Sequence, residues 1–364
     1  MNRLLLALAV VGLAFFLVAP AAVAQEVTAD DYIELFKPIV GTWKTLLTVD
    51  GKTVEGWGRF RLSRTNKCFV AYGEGGGSPA IQRIEGYDPA TKQWKTATFD
   101  ADGGYSVAVI TVKDMKKGKR LDTNYSTAYE EVRYSKDGKK TVISNNLKIT
   151  AYDKDRIEGV LTESKEEGQP RPDTKFIMER QPDQRQRPQA TPAPKADSQD
   201  ITAADYIEYF KPLVGSWKIV FEAAGTKTEG TRRVRLSPNN KCLLTYAESE
   251  RQPSLQVIEG YDPGTKKWTG VVFDSDGGMG VTALEVADMK KGKRLEKGVV
   301  GKIEINNSTK DGKTTTIRGT LACTEFAENR IVFTGSDEKQ ADQQVPSVTM
   351  TWERQPDTGR RARQ

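Results

Sequence analysis

The stretch IEGYDPATKQW occupies residues 84–94, and it recurs as IEGYDPGTKKW at residues 258–268. In both copies a strand-like run ends in Asp-Pro, which favours a tight turn because the Asp side chain can bond turn amides and Pro fixes φ. Tyr87 and Trp94 stand on either side of that turn in the first copy. The phrase therefore predicts a β-hairpin made twice. An alternative is that these aromatic residues form the rim of a ligand site.

The two phrases belong to a much longer repeat. Over residues 31–121, 49 of the 91 positions are identical to those 174 residues further on, and no gap is needed. A period of this length is too long for a solenoid, so each copy is predicted to be a whole domain, over residues 25–182 and 199–356. Residues 183–198 are rich in Pro, Gln and Ala, which predicts a semi-extended linker. Residues 357–364 form a basic tail that we expect to be frayed.

The first residues, MNRLLLALAVVGLAFFLVAPAAVAQ, combine one Arg, an apolar run and the small residues AVA before Gln25. This pattern is typical of a secretory signal peptide over residues 1–24, cleaved after Ala24. The alternative is a membrane anchor, but the run is short for a bilayer span. We therefore expect a secreted or periplasmic protein with no transmembrane segment in the mature chain.

The composition narrows the chemistry. The chain has no His, which excludes Ser-His-Asp and Cys-His catalysis as well as His-ligated metals and haem. No phosphate-binding loop or metal-ligand run is present, and we predict neither a cofactor nor a metal site. The net charge of +6 over 364 residues is too small to indicate a nucleic-acid partner.

Each copy reads as one short helix followed by many short strands. Thr28 and Asp31 form a helix N-cap pair, and the helix must end near Pro38. Nine or ten apolar runs follow, separated by DG, DPA, DGG, KGK and KDGK turns. The pattern predicts an all-β fold, either an antiparallel up-and-down barrel or a sandwich. A closed barrel is favoured because it leaves no exposed strand edge.

A short helix followed by G-x-W resembles the lipocalin or calycin superfamily, and the whole pattern resembles secreted bacterial lipocalin-like domains of unknown function. The shared motifs are GTW at 41–43, GYD at 86–88, FDADGG at 99–104 and the terminal Glu-Arg at 179–180, with counterparts at 215–217, 260–262, 273–278 and 353–354. The resemblance implies that the G-x-W Trp closes one barrel end under an Arg of the last strand. It thus pairs Trp43 with Arg180 and Trp217 with Arg354, about 6 Å apart or less.

The acidic FD-x-DGG motif and two pairs of arginines invite a functional interpretation. The FD-x-DGG motif could begin a calcium loop, but it lacks the bidentate Glu and is better explained as a hairpin turn. Arg59 and Arg61, like Arg233 and Arg235, alternate with apolar residues and are expected to face water. The alternative is that they bind a carboxylate ligand inside a polar barrel.

The three cysteines are Cys68, Cys242 and Cys323. They are expected to be buried apolar side chains, and a Cys242–Cys323 disulfide is the alternative.

These observations leave three functions open. The first is non-catalytic binding of a small apolar or amphipathic ligand inside the barrels, with walls formed by Tyr72, Trp94 and Phe99, and by Tyr246, Trp268 and Phe273. The second is a structural or interaction protein whose filled barrels present loops to an envelope partner. The third and weakest is a hydrolase or isomerase that uses a carboxylate such as Asp100 or Glu85. The oligomeric state does not follow from the sequence.

Overall fold

The computed structural model describes residues 27–75, 78–182, 200–250, 252–340, 343–344 and 346–356. The predicted signal peptide, the linker over residues 183–198 and the tail at 357–364 lie outside the described residues. The described parts form two antiparallel β-barrels in tandem, each preceded by one short α-helix.

The first barrel follows helix α1 (Ala29–Phe36) and a 3₁₀ turn (Lys37–Ile39). Its strands are β1 (Gly41–Val49), β2 (Lys52–Leu62), β3 (Cys68–Gly75), β4 (Ser78–Asp88), β5 (Gln93–Asp100), β6 (Tyr105–Val112), β7 (Ser126–Tyr134), β8 (Lys140–Tyr152), β9 (Arg156–Glu166), β10 (Gln169–Pro170) and β11 (Thr174–Gln181). Strands β1 to β8 pair in sequence, β11 pairs with β1, and β9 closes the ring between β8 and β11. The short strand β10 only extends the end of β9, so the ring has ten strands.

The second barrel repeats this plan after helix α2 (Ala203–Phe210) and a 3₁₀ turn (Lys211–Leu213). Its strands are β12 (Gly215–Ala223), β13 (Thr226–Leu236), β14 (Cys242–Ser249), β15 (Gln252–Asp262), β16 (Lys267–Asp274), β17 (Met279–Val286), β18 (Val300–Ser308), β19 (Thr314–Ala327), β20 (Arg330–Gln340), β21 (Gln343–Gln344) and β22 (Val348–Arg354). Strand β20 closes this ring between β19 and β22. The barrel prediction is confirmed and the sandwich alternative is wrong.

The repeated phrase forms the predicted hairpin. Tyr87 on β4 lies opposite Trp94 on β5, and Tyr261 lies opposite Trp268 in the second barrel. In the turn between them, the Asp88 carboxylate accepts hydrogen bonds from the Ala90 amide at 3.0 Å and the Thr91 hydroxyl at 2.8 Å. The Asp-Pro dipeptide therefore holds the turn as its chemistry predicts.

The helices cover one end of each barrel. Asp31 accepts a hydrogen bond from the Thr28 amide at 2.9 Å, which confirms the predicted cap of α1. From this helix Tyr32 stacks on Tyr87 and Trp94, with ring centroids 5.1 and 5.6 Å apart. Tyr206 makes the equivalent contacts in the second barrel. Aromatic packing thus fixes each helix against the strands of the repeated hairpin.

The G-x-W tryptophans lie at the same ends. The Arg180 guanidinium carbon lies 4.3 Å from the centre of the Trp43 ring, and Arg354 lies 4.2 Å from Trp217. Arg180 also donates to the carbonyl oxygens of Pro38 and Val40, at 2.8 and 2.7 Å. The contacts that the resemblance implies are present, and they tie the last strand of each barrel to its 3₁₀ turn.

Both faces of β3 to β6 are covered. One face packs inside the first barrel, and the other packs against the same strands of the second barrel, β14 to β17. We call this covered outer surface the inter-barrel face. The first barrel contributes Cys68, Ile84, Ala97, Phe99 and Tyr105, and the second contributes Cys242, Ile258, Val271, Phe273 and Met279. The two barrels therefore share one apolar cluster.

The cysteines end on different surfaces. Cys68 and Cys242 are fully buried in the inter-barrel face, whereas Cys323 packs inside the second barrel. All three are free thiols. The alternative of a Cys242–Cys323 disulfide is wrong, because Cys242 lies on the outside of the barrel and Cys323 lies in its interior.

Candidate functional site

A cavity of about 80 Å³ lies inside the second barrel. Helix α2 covers it with Tyr209 and Phe210, and the strands surround it mostly with apolar side chains. The two charged side chains that line it are Arg232 on β13 and Glu259 on β15. An apolar enclosure with a few convergent polar groups is the usual form of a small-molecule site.

Strand alternation places both charged side chains inside. Val234 packs in the interior core, so Arg232, two residues earlier on the same strand, faces the same way. One Arg232 guanidinium nitrogen lies 3.4 Å from each carboxylate oxygen of Glu259. The guanidinium also lies over the Trp352 ring, 4.6 Å from its centre. The site therefore combines an ion pair with a cation–π contact.

Burial shifts the pKa values of both members of this pair. Arg232 is 4% exposed and Glu259 is 7% exposed. Burial raises the pKa of Glu259, and the neighbouring Arg232 acts in the opposite direction. Burial likewise lowers the pKa of Arg232, against the attraction of Glu259. A protonated guanidinium and an ionised carboxylate leave the site neutral overall, at the cost of desolvating both ions.

Two donors at the cavity lack an acceptor among the described residues. The Arg232 Nε–H and the Trp352 Nε1–H are both buried, and neither donates a hydrogen bond to the protein. A buried donor without a partner costs about 1–3 kcal/mol. Both residues line the cavity. A ligand oxygen that reached either N–H would make a hydrogen bond that the described residues do not supply.

The first barrel fills the equivalent space differently. Residues 174 positions earlier than Leu243 and Val299 are Phe69 and Tyr125, which are larger, and both are buried in the core. Met178 stands where Trp352 does. The glycine at position 58 replaces Arg232. The cavity and its two donors are therefore features of the second repeat.

The first barrel keeps the buried Glu but carries its interior Arg at a different position. Glu85 matches Glu259 and is 4% exposed. Burial raises the pKa of Glu85, while the charge of Arg83 and a hydrogen bond from Trp94 act in the opposite direction. Arg83 donates to the Thr98 hydroxyl at 3.2 Å. The position of Arg83 is Val257 in the second repeat. The two interiors have therefore diverged in their charged groups while the barrel walls stayed alike.

The aromatic residues predicted to be ligand walls do not lie together. Trp268 lines the cavity, and Trp94 stacks beneath helix α1 in the first barrel. Phe99 and Phe273 lie in the inter-barrel face.

Tyr72 and Tyr246 are on the outer surface instead. Their hydroxyl groups each donate to a carboxylate on the same strand, Glu74 and Glu248, at 2.9 Å. Of the six predicted wall residues, the structure thus brings Trp268 alone to the described cavity.

Sequence reasoning missed Arg232 and Trp352. Arg233 and Arg235 are on the outer face, as expected, because Val234 and Leu236 pack inward. The same alternation, extended two residues back, places Arg232 inside, and that signal was in the sequence. Trp352 faces inward with Met350 on the last strand. The lack of hydrogen-bond partners, by contrast, depends on neighbours far apart in the chain.

The acidic motifs do not form a metal site. Asp100 of FD-x-DGG accepts hydrogen bonds from the amides of Asp102 and Gly104, at 2.9 and 2.8 Å, as a turn residue does. In the part of the chain that the structure describes, no group of three or more Cys, Asp or Glu residues could hold a metal ion. Within those same residues, no helix is long and apolar enough to cross a membrane.

Comparisons with known proteins give a weak likeness of fold. A scan against protein-family models and a search of curated proteins find no match. A solved structure of a protein of unknown function from the DUF3598 family of Nostoc punctiforme is 10% identical, with a TM-score of 0.21 over 89% of this chain and 98% of that one. A redesigned β-barrel is 14% identical, with a TM-score of 0.20, and the match covers 41% of this chain and 96% of the redesigned chain.

Proposed function

We propose that this is a secreted or periplasmic, lipocalin-like binding protein whose second barrel takes one small, mostly apolar molecule with a hydrogen-bond acceptor. The observation that carries the proposal is the pair of buried donors, Arg232 Nε–H and Trp352 Nε1–H, at an otherwise apolar cavity. The signal-like sequence at residues 1–24 supports the location.

The cavity volume sets the size of the ligand. About 80 Å³ is less than the ~150 Å³ of an engineered cavity that holds benzene, and well below the ~300–1,000 Å³ of drug-sized sites. Without movement of the walls, the ligand has only a few non-hydrogen atoms. A small ketone, ester or amide meets both the size and the need for an acceptor.

The charge balance favours a neutral ligand. Arg232 and Glu259 already neutralise each other, so a bound anion would leave one buried negative charge without compensation. A carboxylic acid would bind only with a proton, held either on the ligand or on Glu259. The neutral ketone binds without this requirement, and its affinity should change little with pH.

The geometry supports binding rather than catalysis. Glu259 is the one carboxylate among the described cavity-lining residues, and it is paired with Arg232. Carboxylate-dependent hydrolysis generally needs a second group to act as acid or base. In the first barrel, Phe69 and Tyr125 are larger than Leu243 and Val299 and leave less room, so we place the ligand in the second barrel alone.

The test uses the full chain with butanone and with 2-methyl-1-butene, which has the same shape but no acceptor. The ¹H–¹⁵N signals of the Trp352 indole and of Arg232 Nε report the two donors, with the indole assigned by Trp352→Phe. We expect butanone to shift both signals in a saturable way. The alkene should bind at least tenfold more weakly, because it leaves the two donors unpaired.

The first repeat supplies matched variants. Leu243→Phe with Val299→Tyr places its larger residues in the second barrel and should abolish the butanone shifts. Phe69→Leu with Tyr125→Val makes the reverse change in the first barrel and should leave the Trp352 and Arg232 shifts unaltered. Equal shifts in the wild type and in the filled variant, or equal binding of the alkene, would overturn the proposal. So would the absence of any shift, which would leave a cavity that holds solvent alone.

A further inference from the structure

We infer that the inter-barrel face is a self-pairing surface: it binds the same face of a second copy of the repeat. In this chain the linked neighbour occupies it. The inference does not depend on the ligand cavity, which lies inside one barrel.

Two glycines at the centre of the face give the first evidence. A Cβ atom built on Gly86 would lie 2.6 Å from the Phe273 ring, and one built on Gly260 would lie 2.5 Å from the Phe99 ring. Real Cβ atoms do not approach so closely, so any side chain here would displace the opposite ring. Neither glycine has a positive φ, so its own strand does not require it. The requirement comes from the other barrel.

The turns around this centre show the same reciprocity. A Cβ on Gly138 would lie 2.9 Å from the Pro263 carbonyl oxygen, and one on Gly312 would lie 3.0 Å from that of Pro89. Gly138 and Gly312 are equivalent positions of the two repeats, and so are Pro89 and Pro263, so each contact is the counterpart of the other. The two contacts between glycine and Phe ring are related in the same way. Contacts that exchange in this way define a two-fold arrangement, the geometry of an isologous dimer.

Several of the repeated motifs take part in this pairing. The pairing uses the Gly and Pro of GYDP, the Phe of FD-x-DGG and the last Gly of KDG. A residue in a two-fold interface contacts its partner surface from both copies, so both copies keep it. Positions 58 and 232 lie inside the barrels, away from this surface, and they differ between the copies.

Two contacts break the symmetry. The Asn239 side chain donates to the Phe99 carbonyl oxygen at 2.9 Å, and the Arg64 guanidinium lies 5.0 Å from the centre of the Tyr246 ring. Their counterparts are Thr65, whose hydroxyl is hydrogen-bonded to Ser63, and Pro238, which has no cationic group. These differences adapt the face to its linked neighbour. They leave the apolar centre available to either copy.

The experiment keeps the full chain and adds a protease site within residues 183–198. After cleavage, native mass spectrometry at micromolar concentration should show the two halves still paired, because the linker supplies proximity and not the contact. The halves differ in mass, so pairs of first with first and second with second are resolved. We expect both to appear as minor species after dilution and reconcentration.

Glycine variants test the face itself. Gly86→Ala should weaken the pairing of the cleaved halves about 10–100-fold, since overpacking costs roughly 1–3 kcal/mol. Adding Phe273→Leu should restore part of that loss, which a folding defect would not permit. Gly58→Ala is the control, because its Cβ would meet atoms no closer than 3.5 Å. Separation of the wild-type halves, absence of like pairs, or equal effects of Gly58→Ala and Gly86→Ala would overturn the inference.

Discussion

Glu85 and Glu259 occupy equivalent positions, and each lies inside its barrel. Burial raises the pKa of both carboxyl groups. Glu259 forms an ion pair with Arg232, whereas the charge of Arg83 and a hydrogen bond from Trp94 act on Glu85. The same residue therefore lines the cavity beside an arginine in the second barrel and is a buried acid in the first.

The buried acid predicts a pH effect on stability. Because the pKa of Glu85 is higher in the folded than in the unfolded chain, the folded state binds more protons above the unfolded value of about 4.3. Stability therefore falls as pH rises from that value to the folded pKa, by at most about 1.4 kcal/mol per pH unit.

Glu85→Gln should flatten this slope and raise stability at neutral pH, as measured by urea unfolding at several pH values. Glu130→Gln, on the exposed part of β7, serves as the control. An unchanged slope in Glu85→Gln would contradict this account of the buried acid.

At this scale the sequence carried part of the answer. Alternation along RRVRL places Arg232 inward and Arg233 and Arg235 outward. No local pattern indicates that Arg232 Nε lacks an acceptor, because that depends on residues from β15 and β22. Likewise the aromatic content of FDADGG could not show that Phe99 meets the other barrel.

At the scale of elements, the 3₁₀ turn after each helix is held to the last strand by one arginine. Arg180 stacks on Trp43 and donates to Pro38, Val40 and Lys154 carbonyl oxygens. The Pro38 and Val40 carbonyls lie at the end of the 3₁₀ turn, where the last carbonyl groups lack partners within the helix, and Lys154 lies in the turn between β8 and β9. The contact joins the first and last parts of the barrel, so it contributes to closure as well as to the covered end.

Arg180→Met should lower the free energy of unfolding by about 2–4 kcal/mol, because it removes a cation–π contact and several charged hydrogen bonds. The measurement is urea unfolding followed by Trp fluorescence. Arg171→Met is the control: its exposed ion pair with Glu166 should change stability by less than about 0.5 kcal/mol. A loss for Arg180→Met no larger than this control would contradict the proposed role.

The elements themselves were largely predictable. The N-cap pair of Thr28 and Asp31 and the Asp-Pro turn are local signals, and both appear as expected. Closure of the ring is not local, since it pairs β11 with β1 from opposite ends of the domain and no turn specifies that pairing. The barrel prediction therefore rested on strand number and the avoidance of free edges.

At the scale of the whole molecule, the duplication explains both likeness and difference. The GYDP, FD-x-DGG and KDG motifs contribute to the inter-barrel face, whereas the barrel interiors keep their end-closing Trp residues and differ at positions such as 58 and 232. The sequence had a signal for this face that the barrel argument did not use. The runs LQVIEGY and WTGVVFD place apolar residues side by side, at Val257–Ile258 and Val271–Phe273, which is typical of strands covered on both sides.

The central claim is that the chain binds one small molecule, in the second barrel alone. The most direct measurement is native mass spectrometry of the mature protein from an oxidising compartment, before and after organic extraction. The account predicts a chain that begins at Gln25 and carries one removable adduct below about 100 Da, an upper size set by the cavity. The adduct should be absent from the Leu243→Phe, Val299→Tyr variant. A bare chain that also fails to take up butanone, or two equivalents per chain, would contradict it.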